Sequence, residues 1–596
     1  NTGVFINWDE ALKTNIIINE DAKRGTQAVF NYDGTDYGVL HMPQFGTIAF
    51  DEDGVGGEWN SGEVVTVSIF DPDMNYDTRA QDELLVKDTT SIVPAIKIGS
   101  PITLKTLSTL TTTSTTLTLD SGLNTQCSSD YDSTSTTGSY VSCYEKYSER
   151  SIVTLATEPI TMTATEALIF THSSDTTIKT LTDLIGGANG TAAYTYLQYD
   201  IRGLNGGDDS LNVAGNFTLG DSTHAVGVGG QDIAYYGIAS ATEPTTPATG
   251  LGIAQYTGLV GNVPINTPLW KLYGTSPLTS SDALVVKMTF RTADSGIWSG
   301  TDLGLNTGIS MDIVTWGQSE DGVTSSDRHN NAIYRLEAGE AGSNNSNNFE
   351  AEVEYVMLNQ LNVNDTETYN STVAYGDSIV MIVHNDSTDE DEIRVSYLDF
   401  GADGVETQIS AQLAAPTHSG VVEFDNDSYK EADTVTVTLT DSDLNTSPEL
   451  VNIYTVVNDL GDPAHDQVGK QDYGQNTMGD NFGRLLDITI DDQLWLDSDY
   501  VTEDNSACTT ALGDTSIVDG LYNSGFSLVE TGVDTGVFTG DFQIPSKYAA
   551  RSGTTCTVTS TLGKDLEVNY VDYRDASGEI IEVGDGAGIR ANTGSV

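Results

Sequence analysis

The residues of this chain best suited to chemistry are those of the turn Asp441-Ser-Asp443-Leu-Asn445, because a near copy, Asp71-Pro-Asp73-Met-Asn75, occurs far upstream in the same setting. Two carboxylates and an amide at alternate positions of a turn direct oxygens toward one point. A hard cation such as Ca2+ takes about six to eight oxygens at roughly 2.3–2.6 Å, so one turn begins a shell and does not complete it. Each copy follows a second acidic turn, Asp51-Glu-Asp53-Gly54 or Asp425-Asn-Asp427-Ser428, which is expected to supply the rest. The predicted ligands of Ca2+ or another divalent cation are therefore Asp51, Asp53, Asp71, Asp73 and Asn75, and Asp425, Asp427, Asp441, Asp443 and Asn445. An EF-hand is excluded, because the Gly at position six and the Glu at position twelve of that loop are missing. Asp and Asn are also ordinary turn formers that bond to their own backbone. The cation reading gains from both copies keeping the two aspartates and the asparagine while the intervening residues vary.

These turns are positioned by strands. Val65-Thr-Val-Ser-Ile-Phe70 and Val435-Thr-Val-Thr-Leu-Thr440 alternate with period two, which places one face in a core and the other in solvent. The duplication extends beyond them. Asn1-Thr-Gly-Val-Phe5 matches Asp534-Thr-Gly-Val-Phe538, Phe30-Asn-Tyr32 matches Val568-Asn-Tyr570, and Asn592-Thr-Gly-Ser-Val596 resembles His418-Ser-Gly-Val-Val422. The expected organisation is an excerpt of a tandem array. Residues 1–44 close a preceding domain, 45–97 with 301–417 form one repeat, 418–590 form the next, and 591–596 open another. Six or more short strands per repeat, joined by turn-rich loops, predict an all-β fold of immunoglobulin-like sandwiches. Gly46 to Gly420 spans 374 positions whereas Gly420 to Gly594 spans 174, so about 200 residues are inserted in the first repeat. They are assigned to 98–300, a Thr/Gly/Ser-rich region long enough for a β domain with its own core. Thr180-Leu-Thr-Asp-Leu-Ile185 is its best candidate helix.

Composition sets the class of partner. The chain has 25 Lys plus Arg against 87 Asp plus Glu, a net charge of −62, yet 38% hydrophobic residues and 27 tyrosines suffice for packed cores. Nucleic acid and anionic lipid are excluded as partners, since both need basic residues to displace counterions. Cations are attracted instead, over a range set by a Debye length of about 8 Å at physiological salt. Enzyme chemistry has little to rest on. Seven histidines are scattered without ligand spacing, Gly-x-Ser-x-Gly is absent, and Gly227-Val-Gly-Gly-Gln-Asp232 lacks the Lys-Ser/Thr of a phosphate loop. Catalytic residues are accordingly predicted to be none, and Trp59, Trp270, Trp298 and Trp495 are read as core rather than sugar platforms. The acidic runs between His384 and Glu392 and around Asp491, Asp492, Asp497 and Asp499 read as solvated surface.

Four cysteines form a close pair, Cys127 and Cys143, and a distant pair, Cys508 and Cys556, without CxxC spacing. Two disulfides and an oxidising, extracellular setting follow. Eight sequons, at Asn189, Asn216, Asn344, Asn364, Asn370, Asn385, Asn426 and Asn445, are candidate glycosylation sites. No run of 18 apolar residues exists to form a membrane-spanning helix.

The repeat element Val435-Thr-Val-Thr-Leu-Thr-Asp441-Ser-Asp443-Leu-Asn445, the segment Val529-Glu-Thr-Gly-Val-Asp-Thr-Gly-Val-Phe-Thr-Gly540 and the acidic, Thr-rich background resemble the surface-layer (S-layer) proteins of ammonia-oxidising archaea, Nitrosopumilus and its relatives. The resemblance covers roughly 1–97 and 310–596 and leaves the insertion aside. It implies copies of the chain assembled into a porous, glycosylated two-dimensional lattice at the cell surface, often hexameric and cation-dependent, with acidic channels that favour ammonium. The competing expectation is an adhesin or carbohydrate-binding stalk of tandem immunoglobulin-like domains.

Overall fold

The computed structural model describes residues 24–112, 328–446 and 526–591 with few gaps, together with 450–455, most of 486–496, and strand and turn segments between 126 and 318. Among the described residues the chain is nearly all β, with a few single-turn helices, as the alternating patterns require. The second repeat is a β-sandwich. One sheet orders Val421–Phe424, Thr434–Thr440, Val537–Gln543, Ser527–Glu530 and Ile453–Thr455; the other orders Ser428–Tyr429, Ile581–Ile589, Asp565–Asp572 and Leu486–Ile490. Period-two patterning decides what meets between them. Val435, Val437 and Leu439 from one sheet and Leu566, Val568 and Tyr570 from the other are fully buried in a core shared with Phe526, Phe538 and Phe542.

The first repeat uses the same frame. Val64–Phe70 lies between Thr47–Phe50 and Asn348–Met357, with Val65, Val67 and Ile69 inward at the places of Val435, Val437 and Leu439. Trp59 is core as expected, packed on Phe50 and Tyr355 with its indole N–H donated to the Glu63 carbonyl. The facing sheet contains Ala95–Ile98, Arg328–Leu336, Glu392–Phe400 and Glu406–Ala414, and does not stop at the repeat boundary. It continues through the host strand Asn306–Gln318 into Ala192–Asp200 and Val260–Pro264, so these two strands of the insertion extend the sheet of their host. Tyr196 of the insertion joins Trp316 in the host core beside Tyr369. The insertion also has a sheet of its own, ordered Ala254–Thr257, Val213–Asp221, Leu284–Thr292, Ala167–His172 and Leu107–Thr112. The expected helix at 180–185 lies outside the described residues.

Insertion and host are fastened by basic residues, which this chain can least spare. Arg150 is completely buried and donates to the carbonyls of Leu85, Val86, Asp88 and Ser91 while pairing with Glu145 at 2.5 Å. Arg202 bridges Asp200 and the host's Glu337. Arg335, also fully buried, donates to the Ser148 carbonyl at 2.7 Å and forms a two-pronged pair with Asp312. Planar guanidinium groups suit these places because one side chain can satisfy several acceptors at once. Cys127 and Cys143 are disulfide-bonded nearby; Cys508 lies outside the described residues.

Removing one partner of a buried pair leaves the other charge uncompensated, at a typical cost of about 3–5 kcal/mol. Arg335→Met is therefore expected to lower unfolding free energy by about that amount, and the double variant with Asp312→Asn to recover part of it. Denaturant unfolding of the two variants checks this; a single variant as stable as the parent would show that Arg335, which also holds the Ser148 carbonyl of the insertion, contributes nothing to the fastening.

Candidate functional site

Both acidic turns fold as single 3-10 turns, Pro72–Met74 and Ser442–Leu444, capped by the first aspartate. Asp71 and Asp441 have extended backbones, and each accepts the amide of the residue two ahead, Asp73 N–H or Asp443 N–H, at 2.9 Å. This is what Asp at a helix N-cap does, helped in the first copy by Pro72 at the first helical position. The other carboxylate oxygen is taken as well, by the Tyr397 hydroxyl at 2.9 Å in the first repeat and by the Tyr570 hydroxyl in the second. These aspartates are thus internal struts between the two sheets of each sandwich. Burial raises both, Asp71 to about 6 and Asp441 well above the usual carboxylate range.

The next acid faces backward along the chain. Asp73 accepts Gln44 N–H at 3.0 Å, and Asp443 accepts His418 N–H at 3.1 Å with the His418 ring nitrogen Nδ1 also at 3.1 Å. The asparagines face a separate loop in each repeat. Asn75 Nδ2 donates to Glu340 Oε1 at 2.9 Å and to Asn347 Oδ1 at 3.1 Å; Asn445 Nδ2 donates to Asp534 Oδ1 at 2.6 Å.

The companion acidic turns do not reach these sites. In the antiparallel pair Thr47–Phe50 with Val64–Phe70, Thr47 pairs with Phe70 and Asp51 N–H bonds the Thr66 carbonyl. Asp51 and Asp53 therefore sit at the opposite end of the hairpin from Asp71, about 16 Å away for five residues of strand. The second repeat repeats this register, with Asp425 N–H on the Thr436 carbonyl and Asp441 beyond the other end. The expected two-turn shell is corrected on this ground, since antiparallel pairing separates the turns. Asp425 is instead held below the usual range, against the effect of partial burial, by hydrogen bonds from Tyr429 and Thr436. Asp53 and Asp427 are exposed on the same distal turns.

What the turns have in common is location. The second turn sits where the two repeats meet: Asn359 donates to the Asp443 carbonyl at 3.2 Å, and Arg574 donates to the Leu358 carbonyl while its Nη2 lies 2.9 Å from Asp443 Oδ2. The first turn faces the segment before its repeat. Gln44 binds Asp73, Arg24 donates to the carbonyls of Ala402 and Pro43, and the charges of Arg24 and His41 both bear on Asp73. Each acidic turn is thus a joint between a repeat and what precedes it.

Sequence reasoning missed the residues that complete the joints. Tyr397-Leu-Asp399 and Tyr570-Val-Asp572 place a tyrosine on the capping aspartate and a third carboxylate beside it. The repeated Tyr-x-Asp at the end of matching strands was the available signal. Asp572 accepts Gly420 N–H and Arg574 N–H, and burial pushes it up to about 6. Asp399 is also buried and raised, with neither oxygen hydrogen-bonded in normal geometry, and Gly401 stands where the second repeat has Arg574. Among the described residues, no three His, Cys, Asp or Glu side chains converge as a ready metal cage.

Of the candidate glycosylation sites, Asn344, Asn370 and Asn426 are exposed, Asn216 lies on the strand Val213–Asp221, and Asn189, Asn364 and Asn385 lie outside the described residues. Asn445 is 4% exposed with its amide donated to Asp534, which leaves no room for a glycan in the folded chain.

No protein-family model matches this chain, and no curated protein matches it at a significant level. Among solved structures it is faintly similar to trypsin-activated alpha-2-macroglobulin from Escherichia coli, at 10% identity and a TM-score of 0.12 over 95% of this chain and 44% of that one. Salmonella alpha-2-macroglobulin reacted with methylamine gives 9% identity and a TM-score of 0.08, over 92% of this chain and 40% of that one. The chain thus spans less than half the length of either, and likeness at this level carries no argument.

The raised Asp71 gives a pH prediction. Its pKa is about 6 folded and about 4 unfolded, so between those values the folded state binds more protons and stability falls as pH rises. The loss is complete above pH 6 and amounts to about 3 kcal/mol at roughly 1.4 kcal/mol per pH unit. Asp71→Asn keeps an acceptor for Asp73 N–H and offers an amide to Tyr397, so it should remove this slope without removing the cap. Urea unfolding in chelator at pH 4 and 7 measures it: the parent should lose about 3 kcal/mol more than the variant, and equal losses would mean that Asp71 ionises normally.

Proposed function

We propose that this chain is a structural, non-enzymatic subunit of an extracellular surface layer, in which copies of it assemble into a porous, acidic, hexameric lattice. The observation that carries this reading is the placement of an acidic turn at the joint of each β-sandwich repeat. A chain of sandwiches whose orientation is fixed at every joint is a spacer or wall element, and its net charge of −62 makes any opening between copies attract cations, ammonium among them, and repel anions.

A second feature supports association. Among the described residues, the hairpin of Gln27–Tyr32 and Thr35–Leu40 pairs with no further strand and exposes Val29, Phe30, Tyr32, Tyr37, Val39 and Leu40, all above 50%. Its Phe30-Asn-Tyr32 corresponds to Val568-Asn-Tyr570, of which Val568 and Tyr570 are wholly buried between two sheets. Another unit of the same construction is the covering this face suits. Divalent cations are assigned the role of holding joints whose carboxylates the chain itself does not neutralise, because 25 basic residues cannot balance 87 acids.

Electron microscopy of the purified chain tests the reading. Ordered two-dimensional sheets that form with millimolar Ca2+ and dissolve in chelator are expected. Isolated extended rods under all conditions would overturn it in favour of a stalk or adhesin, and sheets indifferent to chelator would remove the role given to the cation.

A further inference from the structure

The two joints are not chemically equal, and their difference points to a specific ligand. In the second repeat, Asn452 fills the space between the turn asparagine and a buried glutamate: its Nδ2 donates to Asn445 Oδ1 at 2.8 Å and to Glu530 Oε2 at 3.2 Å, and its N–H donates to Glu530 Oε2 at 2.9 Å. Glu530 Oε1 accepts Thr535 N–H and Gly536 N–H, so every oxygen of the set is satisfied. The first repeat builds the same frame. Glu340 Oε1 accepts Ser346 N–H and Asn347 N–H, and Glu340 N–H bonds the Asp82 carbonyl just as Glu530 N–H bonds that of Asn452. Asp82 therefore stands where Asn452 stands.

That one exchange removes the donor. Asp82 carries a carboxylate in place of an NH2 group, anchored through Oδ2 by Asp77 N–H at 2.9 Å. The two oxygens that the amide would have served, Asn75 Oδ1 and Glu340 Oε2, are both buried and have no hydrogen-bond partner among the described residues. Glu340 is only 3% exposed. A buried acceptor without a donor is rare in folded proteins and calls for an explanation. By the shared backbone bonding, Asp82 stands beside Glu340 as Asn452 stands beside Glu530, so the place that the paralogous repeat fills with an amide is one that a bound positive charge would satisfy here.

We infer that the first repeat binds a divalent, oxygen-preferring cation of the Ca2+ class between Asn75 Oδ1, Glu340 Oε2 and the Asp82 carboxylate, and that the second repeat does not because Asn452 occupies the equivalent place. Two carboxylates and an amide carbonyl are hard donors, and water supplies the remaining positions that such an ion requires. Asp71 and Asp73 are not needed for this site, since Asp71 has both oxygens on Tyr397 and its own turn and Asp73 faces Gln44. The inference sharpens the role given above to cations at the joints, and it rests on the reading of those joints as cation-dependent. It does not rest on the lattice, because binding is measured on dissociated chain.

The test is calorimetry and thermal melting of the full chain in Ca2+ and in chelator, for the parent, Asp82→Asn, Glu340→Gln and Asn452→Asp. Asp82→Asn converts the first repeat to the bonding of the second: it is expected to lose one bound Ca2+ per chain and to melt higher than the parent in chelator. Asn452→Asp is expected to gain one Ca2+ and to melt lower in chelator. Should Glu340→Gln fail to fold, the other two variants still decide. Equal Ca2+ uptake by the parent, Asp82→Asn and Asn452→Asp would overturn the assignment, even if sheets form; absence of sheets with the expected uptake would leave it standing and reject the lattice instead.

Discussion

Burying carboxylates with almost no basic residues to spend on them is the constraint on which this structure depends. The chain answers it in three ways. Where the insertion meets its host, guanidinium groups are taken into the interior, and Arg150, Arg202 and Arg335 each serve several acceptors. At the sandwich ends, Asp71 and Asp441 are tied to tyrosine hydroxyls and their own turns, and burial shifts them toward the neutral form. At the joint of the second repeat, Arg574 and Asn452 supply the charge and the donor. The first joint has Gly401 and Asp82 at those two places, and Asn75 Oδ1 and Glu340 Oε2 are left without a donor among the described residues.

The consequence is mechanical as well as electrostatic. The second joint is set by protein groups alone, since Arg574 and Asn359 reach across the repeat boundary to the Asp443 turn and the Leu358 carbonyl. The first joint meets its preceding segment through Gln44, Arg24 and His41 around Asp73. If the inferred cation site is occupied, stability of the first is linked to cation concentration by mass action, while that of the second is not. An array made of both kinds of joint would soften at chosen points when divalent ions are withdrawn.

Fold class was legible because the strands are clean: Val65, Val67 and Ile69, like Val435, Val437 and Leu439, alternate with polar residues and so had one buried face. Duplication in the sequence pointed to two repeats and to their acidic turns. It could not show that Asp51 and Asp71 lie at opposite ends of one hairpin, because antiparallel register is a relation between strands. The sheet shared by host and insertion was hidden for the same reason, since the pairing of Gln198 with Asp312 joins segments assigned to separate domains. The difference between Asp82 and Asn452 was present in the sequence, yet it carries meaning only once Glu340 and Glu530, more than 75 positions from either, are seen to face them. Asn445 misled as a sequon because its amide is engaged inside the fold.

Anomalous scattering from crystals of the full chain soaked in a lanthanide salt would test the central claim most directly, since such ions occupy Ca2+ sites and mark their positions. One dominant peak bordered by Asn75, Asp82 and Glu340, with none beside Asn445, Asn452 and Glu530, is the predicted map. Peaks of equal height at both repeats, or none at the first, would contradict the account that a single Asn-to-Asp difference separates a cation-held joint from a self-satisfied one.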